Sequence, residues 1–458
     1  MNDSTLPNSP FKAYDLRGRV PDSLNEDRAH AIGQAYAAVV QPGGPVVIGR
    51  DMRLSSPGIA SALAAGLNSV GVDTLDIGLC GTEMVYHAAS RSGMGGGVMV
   101  TASHNPADYN GMKMVREQAI PISADTGLKD IERYLADGKT ASPTARPGNA
   151  GRDEVSADYI ARMRAFIDID TIKPLKLVVN AGNGCAGPAF DGIAESLPLD
   201  VVRLHHEPDG RFPNGVPNPL LPENRAETAA AVREHGADFG IAWDGDYDRC
   251  FFFDEDGRFI EGYYLVGLFA ARLLERYPGE GIVLDPRLTW NTLDMVTRAG
   301  GVPLINKSGH AFIKERMRAE NALYGGEMSA HHYFRDFSFC DSGMIPWLLL
   351  AEAVSETGRS LAELVNERIL AYPCSGEINY SVHDTDTVIE AVLAAFQGQD
   401  AVVDRTDGIS LDFAEWRFNL RASNTEPVIR LNLETRANAQ LLADKTGLLG
   451  DLIERHGQ

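Results

Sequence analysis

The sequence lacks the features that would place it in a membrane, on nucleic acid or in an oxidising compartment. It has no run of about 18 apolar residues, so we expect no membrane span, and the first residues lead us to expect no signal peptide. Its five cysteines lie far apart without a CxxC pair, which argues against disulfides or zinc and favours the cytoplasm. Lysine and arginine total 42 against 63 acidic residues, so we expect no nucleic-acid partner.

What the sequence does contain is an alternation of strand and helix patterns. Residues 46–48 form a predicted strand, Ser56 and Pro57 predict the N-cap and first turn of a helix to about Val70, and residues 74–77 form the next strand. This order predicts a βαβ unit. The same alternation recurs further along, with strands at 177–179, 239–242 and 282–284 and helices at 223–235 and 289–298. A glycine-rich stretch at 178–184 is interpreted as a tight packing turn.

Changes of pattern mark candidate domain boundaries. Residues 137–152 are rich in Gly, Pro and Ala and predict a linker, and residues 254–257 predict a hairpin. Beyond about residue 372 the strands look antiparallel, at 378–382, 408–413, 416–420 and 428–433, with two flanking helices. We therefore predict an α/β fold of three similar domains and a smaller C-terminal α+β domain, with boundaries at 1–150, 151–254, 255–370 and 371–458.

The first candidate site is the polar run at 101–106, which follows an apolar strand at 98–100. The ends of strands are where α/β sheets bind ligands. Ser103 in this run is a candidate nucleophile, although a serine hydroxyl needs a base, a metal or a lowered pKa to react. A hydrogen-bonded turn without chemistry is an equal alternative for these six residues taken alone.

The second is a row of carboxylates, Asp244, Asp246 and Asp248, between two buried strands. Three such groups can converge on a hard cation, and Mg²⁺ with open positions for phosphoryl oxygens is the favoured ion. Arg249 within the row suits a phosphate. An EF-hand loop competes, because Glu255 falls at its twelfth place, but the sixth place has arginine instead of glycine. A solvated acidic turn is the remaining alternative.

Two further segments suit a sugar phosphate. An arginine fork, hydroxyls and an amide between residues 421 and 427 predict a phosphate cradle, with an ordinary polar hairpin as the alternative. Glu327 and Ser329 point the same way on an extended segment and could read neighbouring sugar hydroxyls. His331 and His332 point to opposite faces, so one metal would not take both, and we interpret His332 as structural.

Together these motifs resemble the α-D-phosphohexomutase superfamily, the phosphomannomutase/phosphoglucomutase group, over nearly the whole chain. The resemblance implies four domains around a deep cleft, a phosphorylated Ser103, and Mg²⁺ held by the three aspartates and a phosphoryl oxygen on Ser103. It implies catalytic roles for His104, Lys113 (as general acid/base), Arg249 and His310. It implies substrate binding by Tyr14, Arg17, Arg287, Glu327, Ser329, His331, Arg421, Ser423, Asn424, Thr425 and Arg430.

The activity that the resemblance implies is the interconversion of hexose 1-phosphate and hexose 6-phosphate, with mannose and also glucose as the sugar. The partners would be small sugar phosphates, with hexose 1,6-bisphosphate as activator, and the chain is expected to be a monomer. Three alternatives stay open at this point: a Mg²⁺-dependent sugar phosphatase, a phosphoglucosamine mutase, and a non-enzymatic protein that binds Ca²⁺ or a sugar phosphate.

Overall fold

The computed structural model describes residues 8–139, 144–422 and 428–457, which belong to two compact units. The first unit contains residues up to 259 together with 333–358, and the second contains 260–332 and everything from 359 onward. Within the described ranges, no helix combines the length and the apolar character needed to cross a bilayer.

The first unit begins with a six-stranded sheet in the order β1-β5-β4-β2-β3-β6. Strands β2, β3, β4 and β6 are parallel, β5 is antiparallel to β4, and the edge strand β1 is antiparallel to β5. The βαβ unit predicted from the sequence is confirmed by β2, α2 and β3. The strands are β1 Leu16–Arg19, β2 Val46–Arg50, β3 Thr74–Leu79, β4 Gly96–Val100, β5 Tyr109–Arg116 and β6 Ala150–Arg152, and the helices are α1 Glu26–Val40, α2 Ser56–Ser69, α3 Thr82–Ala89 and α4 Leu128–Ala136.

Two predictions for this sheet are wrong in detail. Ser56 is not the N-cap of α2, because it lies inside the helix and its hydroxyl donates to Asp51 Oδ1 at 2.5 Å. The predicted linker at 137–152 ends in a strand, since Ala150–Arg152 pairs in parallel with β3. A short edge strand needs only backbone hydrogen bonds, so it leaves no apolar pattern in the sequence.

A second sheet of the first unit has the order β11-β10-β9-β7-β8. Strands β9 and β10 are antiparallel neighbours, with Trp243 opposite Cys250, so residues 244–249 form the loop that joins them. The predicted hairpin at 254–257 is confirmed, because the Gly257 N–H donates to the Asp254 carbonyl. The elements are β7 Leu175–Asn180, β8 Leu199–Leu204, β9 Phe239–Trp243, β10 Cys250–Phe253, β11 Phe259–Ile260, and helices α5 Ser156–Arg164, α6 Ala186–Ala194 and α7 Ala226–His235.

The glycine-rich stretch at 178–184 is the tight turn that the sequence indicated. Residues 178–180 end β7, residues 181–184 form the turn before α6, and the Gly184 N–H donates to the Ala181 carbonyl at 2.7 Å. A Cβ at Gly184 would lie 2.8 Å from the carbonyl oxygen of Gly245, so only glycine permits this approach to the loop at 244–249. Strand β15 is His332–Phe334, and its residues Tyr333 and Phe334 belong to the first unit, where they pair antiparallel with β16 Cys340–Asp341. Helix α11 Ile345–Thr357 follows.

The second unit contains a parallel sheet and an antiparallel sheet. In the parallel part, β12 Gly281–Leu284 lies between β13 Val302–Ile305 and β14 Tyr324–Gly326. The antiparallel sheet has the order β17-β21-β20-β19-β18, as the C-terminal sequence predicted, with one additional edge strand, β18. Its strands are β17 Cys374–Ser381, β18 Val402–Asp404, β19 Ile409–Asp412, β20 Trp416–Ala422 and β21 Val428–Thr435, and the helices of the unit are α8 Gly262–Arg276, α9 Trp290–Arg298, α10 His310–Glu320, α12 Leu361–Ala371, α13 Thr385–Ala395 and α14 Ala439–Gly457.

A buried ion pair joins these two sheets of the second unit. Glu434 on β21 accepts the N–H of Thr289 at 2.7 Å and pairs with Arg417 on β20 at 2.9 Å. Arg417 also donates to the carbonyls of Pro286 and Arg287 at 2.9 and 3.0 Å. The loop that contains Arg287 is therefore held to the antiparallel sheet by groups that are buried on both sides.

Glu434→Gln should lower the free energy of unfolding of this unit by about 3 kcal/mol, because the buried Arg417 then loses its fully buried carboxylate partner and keeps only the partly exposed Asp412. Urea titrations followed by hydrogen exchange in β20 and β21 measure the effect. The matched control is Asp412→Asn. Asp412 Oδ1 also pairs with Arg417 Nε, at 2.6 Å, but the Asp412 side chain is 35% exposed. Equal losses in the two variants would contradict the prediction.

Candidate active site

The loop that contains Ser103 joins β4 to β5 at the carboxyl end of β4. Ser103 is buried and has a φ of 47°, a left-handed conformation that is uncommon for residues other than glycine. Its N–H donates to Thr101 Oγ1 at 2.9 Å. Such a conformation costs about 1–3 kcal/mol and persists only where the surroundings enforce it, which is typical of functional sites.

The hydroxyl of Ser103 lies between two acceptors. Its Oγ is 2.6 Å from Asp244 Oδ2 and 2.9 Å from His104 Nδ1. Arg249 Nη2 lies 2.5 Å from the same His104 Nδ1. Because a guanidinium can only donate, Nδ1 must accept, and the Ser103 proton is then directed to Asp244.

The protonation states agree with this arrangement. Desolvation by the surrounding protein and the charge of Arg249 lower the pKa of His104, although 40% of its side chain is exposed, so its imidazole is neutral. Burial also raises the pKa of Asp244, although Arg249 opposes the shift with contacts of 2.7 and 3.0 Å to Oδ2. Asp244 is therefore the nearest group that could receive the serine proton.

The three aspartates of the loop between β9 and β10 are buried and converge. One oxygen from each lies within 4.8 Å of the others. Asp246 Oδ1 is buried and has no hydrogen-bond partner among the described residues. Hard cations prefer such carboxylate oxygens, so the donor set fits a magnesium-type ion. The loop joins two strands and not two helices, which excludes the EF-hand alternative.

Lys113 on β5 lies against this cluster. Its Nζ is 2.7 Å from Asp246 Oδ2 and also contacts Asp248 Oδ2. Burial disfavours the ammonium, but the charges of Asp246 and Asp248 outweigh it and raise the pKa of Lys113. Lys113 is therefore protonated and donates hydrogen bonds to both carboxylates.

The N-terminal segment also reaches the serine loop. Pairing of β1 with β5 places Arg17 opposite Gly111, and Arg17 Nη1 donates to Asn105 Oδ1 at 3.0 Å. Asp15 neutralises the guanidinium at 2.8 Å. Tyr14 is half-buried in the bend before β1.

Two residues near Ser103 were missed by sequence reasoning. Thr82, the first residue of α3, donates from Oγ1 to Asp246 Oδ2 at 2.6 Å. Arg53 donates to the Ser103 carbonyl at 3.0 Å. Arg53 follows the end of β2 by three residues, so the strand-end argument used for Ser103 could have found it.

A second group of predicted residues meets in the second unit. Buried Arg287 lies 2.9 Å from Asp285, 3.5 Å from Glu327 and 3.3 Å from Ser329 Oγ. His331 Nδ1 lies 3.5 Å from Ser329 Oγ. Glu327 also accepts the N–H of Gly309, one residue before His310 at the start of α10. These side chains offer carboxylate, hydroxyl and cationic groups in one place, as recognition of a polyol requires.

Next to them is a cluster of arginines around one carboxylate. Glu377 lies 3.4 Å from Arg287, 3.4 Å from Arg421 and 3.5 Å from Arg430. Arg421 and Arg430 are directly opposite each other on β20 and β21, a pairing that like charges make unfavourable. The concentration of positive charge suits an anion. The predicted partners Ser423, Asn424 and Thr425 lie outside the described residues.

His332 has the structural role that the sequence suggested. It is fully buried, its ring is stacked on Tyr324, and its Nδ1 lies 2.6 Å from the Tyr324 hydroxyl. Burial lowers the pKa of His332 to about 3, so the imidazole is neutral at physiological pH.

The buried His332 should make the second unit sensitive to acid. Between an unfolded pKa of about 6.5 and the folded pKa of about 3, the unfolded state binds a proton that the folded state does not, so stability falls as the pH falls. Lowering the pH from 7.5 to 5.0 should cost about 2 kcal/mol through this group. Urea unfolding at both pH values should show a smaller loss in His332→Gln, and an identical loss would contradict this assignment.

Comparison with known families identifies the class of protein. The phosphoglucomutase/phosphomannomutase models for α/β/α domains I, II and III match residues 8–142, 157–257 and 261–372, and the model for the C-terminal domain matches residues 377–445. The fold and site are those of an isomerase that transfers a phosphoryl group within its substrate. The chain belongs to the phosphoglucomutase/phosphomannomutase family, which confirms the resemblance drawn from the motifs.

Relatives support this assignment over the full length. The chain is 60% identical to "Phosphohexose mutases" of Xanthomonas campestris pv. campestris, over 98% of this chain and 99% of that protein. It is 55% identical to a phosphomannomutase of Salmonella typhimurium, over 97% and 99%. A crystal structure of a phosphoglucomutase/phosphomannomutase family protein from Burkholderia thailandensis superposes with a TM-score of 0.87 at 32% identity, covering 98% of each chain.

Proposed function

We propose that this protein interconverts the 1- and 6-phosphates of mannose, and also of glucose, through a phosphoserine at Ser103 and a hexose 1,6-bisphosphate. The observation that supports this most directly is the Ser103 hydroxyl, 2.6 Å from a buried carboxylate of the aspartate cluster. The relatives named phosphomannomutase and phosphohexose mutase support the substrate class. Hexose 1,6-bisphosphate would serve as activator, since it supplies a phosphoryl group to an unphosphorylated serine.

The aspartate cluster would hold Mg²⁺. Asp244, Asp246 and Asp248 would provide carboxylate oxygens, with a further oxygen from the phosphoryl group on Ser103. Asp246 Oδ1, which is buried and has no hydrogen-bond partner in the part of the chain that the structure describes, supports this assignment. When bound, the ion would neutralise charge on the phosphoryl group. Thr82 would orient Asp246 through its hydroxyl at 2.6 Å.

Positioning and charge neutralisation would dominate the transfer step, because phosphoryl transfer requires little covalent chemistry from the protein. Arg249, with His104 held beside it, would stabilise the transferred group. Lys113 would move the proton as general acid and base, accepting it from the attacking hydroxyl and returning it to the leaving oxygen. Arg17 and Tyr14 would add contacts at the serine loop, and His310 would assist at the sugar.

The second unit would recognise the remainder of the substrate. Glu327, Ser329, His331 and Arg287 would read the sugar hydroxyls. The non-reacting phosphate would bind Arg421 and Arg430 together with Ser423, Asn424 and Thr425. We accordingly assign phosphoserine, metal, sugar and phosphate functions to residues 1–150, 151–254, 255–370 and 371–458. The protein would act as a monomer in the cytoplasm.

A single set of assays tests this function. The purified protein is given mannose 1-phosphate or glucose 1-phosphate with Mg²⁺ and a hexose 1,6-bisphosphate, and Ser103 is examined by mass spectrometry. We expect the 6-phosphate to form and about 80 Da to appear on Ser103. Release of inorganic phosphate, with the added mass of the phosphoryl group on an aspartate and not on Ser103, would instead identify a phosphatase. Turnover of glucosamine phosphate alone would identify a phosphoglucosamine mutase.

A further inference from the structure

Arg53 lies directly behind the serine loop and contacts it at four points. It is 1% exposed and follows β2 by three residues. Its two terminal nitrogens donate to backbone carbonyl oxygens of one loop, at distances of 2.6 to 3.0 Å. These carbonyls belong to Ser103, Asn105, Pro106 and Tyr109.

This use of an arginine is unusual for a buried position. Buried guanidinium groups commonly face carboxylates, whereas here four of the five N–H donors would be used on neutral carbonyls. Three of these carbonyls lie in the loop between β4 and β5, and the fourth belongs to Tyr109, the first residue of β5, so Arg53 ties the loop to the start of that strand. The Pro106 carbonyl also accepts the Tyr109 N–H at 3.0 Å. The four contacts reach from Ser103, the residue with positive φ, to Tyr109 at the far end of the loop.

Arg53 is itself fixed by its surroundings. Asp51 Oδ2 forms an ion pair with Arg53 Nε at 3.3 Å, and Asp51 Oδ1 accepts the Arg53 N–H at 3.0 Å. The Phe212 ring lies 5.1 Å from the guanidinium carbon. Asp51 also accepts the hydroxyl of Ser56, which is why this serine does not cap α2. The arginine therefore has little freedom to follow the loop if the loop moves.

The Ser103 carbonyl, which accepts from Arg53, is also confined by the loop at 244–249. A Cβ at Gly245 would lie 2.6 Å from the Ser103 carbonyl oxygen, so the aspartate loop packs closely against the serine backbone. A shift of this carbonyl would move Ser103 Oγ relative to Asp244. The position of the hydroxyl thus depends on the carbonyl contact.

We infer that Arg53 is a positioning residue for phosphoryl transfer, which keeps Ser103 in its left-handed conformation with Oγ directed at the aspartate cluster. The inference rests on the proposed role of Ser103 and adds a residue that does not touch the substrate. A displacement of the acceptor by about 1 Å can cost about a hundredfold in rate. Arg53 therefore contributes to the rate of transfer and not to sugar-phosphate binding.

The test compares Arg53→Gln, Arg53→Lys and Arg53→Ala with Arg50→Ala. Arg50 is a matched control at the end of β2, where it pairs with Asp76 and not with the serine loop. The kcat is expressed per molecule that accepts phosphoryl on Ser103, counted by mass spectrometry. We expect a kcat about a hundredfold lower in Arg53→Gln, a smaller loss in Arg53→Lys, and a KM for hexose 1-phosphate within about threefold of the wild type.

Millimolar guanidinium should partly restore the kcat of Arg53→Ala, which a merely structural defect would not show. Unchanged kcat per phosphorylated site in Arg53→Gln would overturn the inference. If that variant does not fold, Arg53→Lys decides between the outcomes: a kcat lowered at least about fivefold supports the inference, and a wild-type kcat overturns it. Absence of phosphoryl on Ser103 in the wild type would instead refute the proposed function.

Discussion

Ser103→Ala is expected to abolish sustained mutase turnover, with a loss of at least about 10⁴-fold in kcat. The proposed mechanism passes every transferred phosphoryl group through Ser103 Oγ. Alanine removes this atom and leaves Asp244, Arg249 and Lys113 in place. A coupled assay with mannose 1-phosphate, Mg²⁺ and a hexose 1,6-bisphosphate measures the loss.

The same variant should still bind sugar phosphates. The groups assigned to the sugar and the non-reacting phosphate, including Arg287 and Arg421, belong to the other unit and are untouched. Calorimetric titration with mannose 1-phosphate should give a Kd within about tenfold of the wild type. Ser90→Ala, at the end of α3, is the matched control and should keep full turnover. Turnover by Ser103→Ala at the wild-type rate would disprove the phosphoserine mechanism.

Asp246→Asn has the second largest expected effect, a loss of about 10²–10³-fold in kcat. Asp246 Oδ2 accepts from Thr82 at 2.6 Å and from Lys113 at 2.7 Å, and its other oxygen is buried with no hydrogen-bond partner within residues 8–139, 144–422 and 428–457. An amide removes the charge that both Lys113 and a divalent cation require. Rates measured over a range of Mg²⁺ concentrations should show a higher Mg²⁺ requirement as well as a lower maximum.

The control for the lost charge is Asp256→Asn. Asp256 lies in the hairpin after β10, in the same segment of the chain, and is exposed. Its replacement removes one negative charge from the protein without touching the cluster, so the rate and the Mg²⁺ requirement should stay unchanged. Equal behaviour of the two variants would remove the aspartate cluster from the mechanism.

Local patterns were enough to locate the principal motifs. The apolar run before residue 101 predicted a strand, and Thr101 and Ser103 do follow the end of β4. The apolar runs around residues 244–249 predicted two strands, and the loop between them contains the three aspartates. These predictions succeed because strand formation and strand ends depend on the composition of a few consecutive residues.

Two predictions are wrong because the hydrogen-bond partner lies elsewhere in the fold. Ser56 was expected to cap α2, but its hydroxyl binds Asp51. The strand Ala150–Arg152 was interpreted as linker, because its partner Thr74–Leu79 lies far away in the sequence. In both cases the deciding partner is set by chain packing, which no local pattern describes.

The sequence by itself determined which reactive side chains the chain contains and which of them follow the ends of strands. It also determined the family, because several motifs in the right order are far more specific than any one of them. Only the tertiary structure decided that Ser103 donates to Asp244, that Lys113 pairs with Asp246, and that Arg53 holds the serine loop. The physical reason is that hydrogen bonds and pKa shifts depend on distance and burial, and both arise only when distant strands pack together.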